Sequence, residues 1–206
     1  MENKSNINDF VRFIFGHNRK LNNIIRFSTR LRNFDENVAA HSFYVSLYCI
    51  ILADILEEKE VKVDKEKLLK GALFHDLEEC ASGDVITTFK KEMKEAYTKL
   101  SRLSIISVFQ NLPKKLKEDY VKIWEEHEKG IEGWILDIAD DLEGMIYCQE
   151  QIDCGNLFFV DIRNDYFNRI DKNVKDTELA ELTMCLKELL LTENKTIELH
   201  QEKYEN

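Results

Sequence analysis

The feature that most limits the fold is how rarely this chain interrupts a helical pattern. Apolar residues recur at helical spacing along most of its length, and no segment alternates with the period of two that a half-buried strand needs. The breakers are seven glycines and one proline, Pro113, in 206 residues. A proline removes a backbone donor and a mid-helix glycine costs about 1 kcal/mol relative to alanine, so their scarcity favours helices. The expected fold class is all-α: a compact helical bundle, one domain over residues 1–206, since nothing in the sequence marks a linker or a second core.

The expected elements follow from the same pattern. Asn8–Phe15 and Leu21–Phe27 read as one short helix or two, broken near Gly16-His17-Asn18. Ala40–Leu56 is apolar nearly all round and reads as a central helix covered on several sides. Asp64 is placed to cap the next helix, which leads through Leu68, Leu69, Ala72 and Leu73 into Phe74 and His75. Ser82–Thr88 reads as a loop. Further helices are expected at Lys90–Gln110, Pro113–Glu126 with proline in the first turn, Gly130–Asp153, Asn156–Ile170 and, after a cap at Asp176 or Thr177, on to about His200.

Charge narrows the function. A formal net charge of −10 argues against a nucleic-acid polymer as partner, because each phosphate contact needs a lysine or arginine. Five cysteines without CxxC spacing read as reduced core thiols. The N-terminus lacks the apolar core of a signal peptide and no run approaches the length of a membrane span, so a cytoplasmic location with no membrane partner is expected.

Four polar residues stand on helices otherwise occupied with packing: His41, His75, Asp76 and Asp140. Taken singly, each has an ordinary reading as a cap, a satisfied core histidine or a solvated acid. Together, two imidazoles and two carboxylates suit a borderline or hard divalent ion with positions left for water and substrate. Such an ion lowers the pKa of its water and polarises a phosphoryl oxygen, so attack by metal-bound hydroxide on a phosphate ester is the expected chemistry. No GxSxG and no glycine-rich phosphate loop offers a rival plan.

The stretches ENVAAHS (Glu36–Ser42), HDLEECASGDV (His75–Val85) and IADDLEG (Ile138–Gly144) resemble the HD-domain (His-Asp) metal-dependent phosphohydrolases, and most closely their bacterial 5'-deoxynucleotidase branch. The resemblance runs over residues 26–150, with His41 followed by the His-Asp pair 34 residues on and by Asp140 a further 64 beyond Asp76. It implies a helical bundle of the HD-domain type, residues 156–203 packing on that core or at a dimer interface, and one divalent metal (Mn, Co, Mg, Zn, Fe or Ni) on His41, His75, Asp76 and Asp140. It implies Glu79 as acid or base, Asp84 as a catalytic or sugar-contacting carboxylate, Arg26 as a phosphate ligand and Phe27 as an aromatic surface beside it. The activity implied is removal of the 5'-phosphate of deoxynucleoside monophosphates, with a homodimer as the assembly. The alternatives are an HD-type dNTP triphosphohydrolase, another nucleotide phosphohydrolase, or a non-catalytic nucleotide-binding protein.

Three further readings complete the expectation. Ala40 stands where relatives carry a glutamate, so one possible outer partner of His41 is missing and metal choice and affinity are left open. Glu78 reads as a solvated acid, and His127 as a packing or surface histidine. Asp137 and Asp141 are second choices to Asp140.

Overall fold

The computed structural model describes residues 2–191. Helix α1 (Glu2–Ile14) leads into a 3-10 segment, His17–Asn23. There the chain departs from the expected Leu21–Phe27 helix. Ile25 forms an isolated antiparallel bridge with Asn37, the Arg26 N–H donates to the Glu36 carbonyl at 3.0 Å, and the Val38 N–H donates to the Ile24 carbonyl at 3.0 Å. Pairing between these two segments satisfies their backbone groups and overrides the local helical pattern. Phe27 turns the chain at φ 52°, a left-handed conformation uncommon for a bulky residue; its ring stacks on Tyr147 with centroids 5.3 Å apart.

Helix α2 (Val38–Glu58) is capped by Asn37, whose side-chain oxygen accepts from the Ala40 N–H at 2.9 Å. Val45, Cys49, Leu52, Ala53 and Leu56 form its buried row, while Phe43, Leu47, Ile51 and Ile55 remain exposed. The helix expected to be covered on several sides therefore keeps one apolar row open. By length and composition α2 does reach what a membrane crossing requires, which corrects the expectation that no run does. Its inner row nevertheless packs into the bundle core.

Asp64 caps α3 (Lys65–Phe74), its Oδ1 accepting from the Lys67 N–H at 3.0 Å. A tight turn through His75–Glu78 joins α3 to α4 (Glu79–Ser82), which ends at Gly83 with φ 75°. After a loop over residues 83–86 come α5 (Thr87–Glu92) and α6 (Lys94–Val108). The expected single helix Lys90–Gln110 is thus two, parted at Met93, whose φ −115° and ψ 39° are not helical. Pro113 sits just before α7 (Lys114–Glu126) as its cap residue, not within its first turn. Helix α8 (Gly130–Asp153) has the expected bounds.

Asn156 caps a 3-10 turn, Leu157–Phe159, which runs into α9 (Val160–Val174). The Thr177 hydroxyl accepts from the Leu179 N–H at 3.2 Å, and α10 (Glu181–Leu191) follows after a further turn. The expected extension toward His200 lies outside the described residues. Gly144 lets α9 close on α8: a Cβ there would stand 2.5 Å from Cζ of Tyr166.

Two cores result. One joins α2, α3, α8 and α9 through residues such as Leu56, Leu68, Ile138, Met145 and Ile170. The other gathers Val38, Leu77, Ile105, Phe109 and Val121. His41 lies between Val38 and Val45, and His75 between Ala72 and Leu77, so both stand at the seam where one core gives way to the other. Of the cysteines, Cys49, Cys80 and Cys148 are buried and unpaired, whereas Cys154 and Cys185 are exposed.

Candidate metal centre

Three helices bring the four expected donors to one point. His41 enters from the first turn of α2, His75 and Asp76 from the turn that ends α3, and Asp140 from the middle of α8. The two imidazole Nε2 atoms face each other at 3.3 Å. Asp76 Oδ2 lies 3.5 Å from Nε2 of His41 and 3.3 Å from Nε2 of His75. Asp140 Oδ1 lies 3.1 Å from Nε2 of His41.

The far side of each ring is anchored. His75 Nδ1 is 2.7 Å from the Ala72 carbonyl, which can only accept, so Nδ1 carries the proton and the Nε2 lone pair points inward. His41 Nδ1 is bonded to the Glu143 carboxylate, which orients that ring in the same way. Anchoring the distal nitrogen fixes tautomer and rotation and raises ligand basicity.

Electrostatics at that point call for a cation. Burial and the Arg26 charge act against a charged His41, yet bonds to Asp140, Asp76 and Glu143 hold its pKa well above the ordinary value. Burial likewise acts to raise Asp140, but the bond to His41 and its charge bring it down to about 2. The residues fit a single divalent ion: the ligand atoms of His41, His75 and Asp140 lie within 4.8 Å of one another, Asp76 Oδ2 stands beside both imidazoles, and the local field favours positive charge. Exposure is graded across the set, from 1% for the His41 side chain to 44% for Asp140. The centre therefore opens to solvent on the Asp140 side.

Arg26 stands behind His41. Its Nη1 donates to Glu36 at 2.6 Å and to the same Glu143 oxygen at 2.7 Å, and its guanidinium lies over the Phe27 ring at 5.3 Å. Glu36, His41 and Glu143 bring their ligand atoms within 4.8 Å of one another, and the guanidinium is the cation of that cluster. Burial and a hydrogen bond with Glu143 push Glu36 up to about 8 despite Arg26. Glu143, facing both His41 and Arg26, falls to about 2 against the effect of burial. The two acids thus share one proton at neutral pH, leaving Glu143 as the carboxylate. Phe27 packs against Tyr147 and against Phe159, 5.6 Å away edge-on.

Glu79 and its neighbours form the other flank. The Glu79 side chain is 4% exposed, and burial together with the Asp76 charge drives its pKa to about 9. Lys90 Nζ approaches Glu79 Oε1 at 3.5 Å. Asp84 sits half-buried in the loop of residues 83–86, close enough for its charge to act on Glu79.

The expectations for neighbouring residues change in two places. The outer partner of His41 that is missing at Ala40 is supplied by Glu143, one turn beyond Asp140 on α8. Helical spacing could have revealed this, since positions i and i+3 share a face. Glu78 is not solvated. It is buried and accepts from the Trp124 indole N–H at 3.1 Å. His127 bonds through Nδ1 to the Trp124 carbonyl and lines a cavity of about 310 Å³ with Leu68, Gly71 and Ile123. Asp141 points away from the centre, held by Arg169 at 2.6 Å, and Asp137 is exposed.

Comparison with known proteins agrees with this geometry. A family model described as 5'-deoxynucleotidase YfbR-like matches residues 13–191. The 4'-phosphooxetanocin A phosphatase of Priestia megaterium is 32% identical over 146 residues, 68% of this chain and 74% of that protein. A 5'-deoxynucleotidase of Photorhabdus laumondii is 28% identical over 178 residues, 84% of this chain and 88% of that protein. Among solved structures, an HD-domain phosphohydrolase from Listeria innocua superposes with a TM-score of 0.79 at 21% identity, covering 89% of this chain and 90% of that one; it shares the fold. The family match begins in α1, ends in α10 and takes in every donor of the centre: the chain belongs to the 5'-deoxynucleotidase YfbR-like family, within the HD-domain metal-dependent phosphohydrolases.

Proposed function

We propose that the chain removes the 5'-phosphate of deoxynucleoside monophosphates. The observation that carries this reading is the convergence of two anchored imidazoles and two carboxylates beside a buried acid, Glu79, whose carboxyl burial pushes toward the protonated form. The names of the Priestia and Photorhabdus relatives, a phosphatase and a nucleotidase, support a monophosphate as the substrate.

His41, His75, Asp76 and Asp140 would hold a divalent ion, which would supply water of lowered pKa and polarise a phosphoryl oxygen. The protein's own part is positional and protonic. Ala72 and Glu143 hold the two imidazoles in the tautomer that keeps Nε2 free. Glu79 gives its proton to the sugar oxygen as it leaves, the role for which a carboxyl with a raised pKa is suited. Asp84, on the rim next to Glu79, contacts the sugar. Arg26, closed onto Glu36 and Glu143, holds the Glu143 carboxylate in place behind His41, with the Phe27 ring packed against its guanidinium.

Purified protein supplied in turn with Mn²⁺, Co²⁺ and Mg²⁺ is expected to release inorganic phosphate and nucleoside from dAMP or dUMP. Release of tripolyphosphate from dNTPs instead would move the scissile bond and replace this reading with the triphosphohydrolase. Binding of nucleotide with no turnover under any metal would replace it with the non-catalytic one.

A further inference from the structure

We infer that Lys90 is a phosphate-binding residue of this centre, presenting its ammonium to the substrate's phosphoryl oxygens from the Glu79 side. The inference rests on the phosphohydrolase reading above and adds a residue to it.

The loop of residues 83–86 leads into α5, and Lys90 lies in the second half of that short helix, its N–H bonding to the Ile86 carbonyl at 3.1 Å. From there its side chain reaches over the Tyr97 ring, 5.3 Å from the centroid, to stop 3.5 Å from Glu79 Oε1. A charge-assisted N–H···O bond closes at about 2.7–2.9 Å, so this contact is an attraction held open. Arg26 differs: both its contacts, at 2.6 and 2.7 Å, are closed. An ammonium has three donors. With Glu79 and Tyr97 as neighbours, a third is left for an incoming oxygen.

Access and charge agree. The Lys90 side chain is 32% exposed where that of Arg26 is 12% exposed, so the lysine stands where solvent reaches it. On its flank Asp76 and Asp84 confront an arriving phosphate with like charge, while burial keeps the neighbouring Glu79 protonated. The Arg26 guanidinium is already answered by Glu143, so beyond the metal the lysine is the flank's source of positive charge for the phosphate. Although burial opposes it, Glu79 and Asp76 hold the Lys90 pKa above its ordinary value, and the ammonium stays charged throughout the working range.

The test uses the Mn²⁺-loaded full chain, with inorganic phosphate as the calorimetric probe and dAMP as the turnover substrate. Lys90→Met keeps most of the stem and removes the charge; Lys90→Arg keeps the charge. Losing a charged hydrogen bond is expected to weaken phosphate binding roughly tenfold or more and to raise KM for dAMP in step, with bound Mn²⁺ per chain unchanged and Lys90→Arg recovering most of the loss. If Lys90→Met leaves phosphate affinity and KM as they were and alters only kcat or its pH profile, the lysine serves Glu79 alone and the inference is overturned. Should the natural protein turn over no dAMP, the nucleotidase reading falls, and the phosphate titration alone still decides the role of Lys90.

Discussion

Two cation–acid contacts flank the same four metal donors, and they are built differently. Arg26 is buried, closed onto Glu36 and Glu143 at 2.6 and 2.7 Å, and tied through Glu143 to His41. Lys90 is on the rim and 3.5 Å from Glu79. Both involve an acid whose pKa burial has raised, Glu36 to about 8 and Glu79 to about 9. In the first case a second acid, Glu143, remains ionised and completes a neutral, rigid unit that supports a metal ligand. In the second no such acid closes the contact, and an acid and a base are left able to respond to a substrate. One flank is structure, the other is chemistry.

The largest expected effect comes from breaking the closed flank. Arg26→Met leaves the Glu143 carboxylate buried without its guanidinium, and removal of one partner of a buried pair costs about 3–5 kcal/mol. Calorimetric melting of the substrate-free protein should show that loss as a drop of roughly 2–4 °C per kcal/mol for a domain of this size. A melting temperature indistinguishable from the natural protein would mean that Arg26 is no strut and stands free for substrate, as the family resemblance alone suggests.

Glu79→Gln should move stability the other way. Below the ordinary carboxyl pKa of 4.5, folded and unfolded chains both carry the proton on Glu79 and the substitution changes little. As pH rises from there to about 9, the unfolded chain is ionised while the folded chain retains the proton, so the natural protein loses stability across that window and none further above it. At one pKa unit per ~1.4 kcal/mol, the glutamine variant gains up to about 3 kcal/mol at neutral pH in metal-free protein. Loss of its proton transfer lowers kcat by ~10²–10⁴. A variant that melts lower than the natural protein at neutral pH would remove Glu79 from the acid's role.

Glu143→Gln tests the link between the closed flank and the metal. Glutamine can still accept from His41 Nδ1 but brings no charge to it, and loss of such an outer partner costs about 10–100-fold in metal affinity. Competition with a chelator of known Mn²⁺ affinity measures it. Unchanged affinity would show that His41 is oriented by something other than the acid beneath it.

That acid also marks the limit of what sequence could tell. The four donors were legible because each sits at a fixed spacing within a motif, and α8 was legible to the residue because Gly130, with φ 76°, stops the chain before it. Asn37 and Asp64, the caps, lie beside the residues they cap. Glu143 was not read because its partners are 102 and 117 residues away, although its helical offset from Asp140 was available. The backbone around Arg26 was misread for a different reason. The segment Leu21–Phe27 has helical composition, but pairing of Ile25 with Asn37 and stacking of Phe27 on Tyr147 outweigh local propensity. Glu78 reads as a surface acid until Trp124 is brought over it from α7.

Lys90→Met is expected to change stability least, and that small effect separates the two flanks most sharply. At neutral pH the folded chain keeps the proton on Glu79, so Lys90 faces an uncharged carboxyl across 3.5 Å. A partly exposed contact of that length contributes at most about 1 kcal/mol. The loss should therefore stay within that range up to mildly alkaline pH and grow only as Glu79 ionises near pH 9, where the lysine begins to neutralise a buried charge. Melting curves of the two proteins from neutral pH upward measure the divergence. Parallel curves well separated at neutral pH would mean that Glu79 is already ionised there, and the open flank would then be a second closed one.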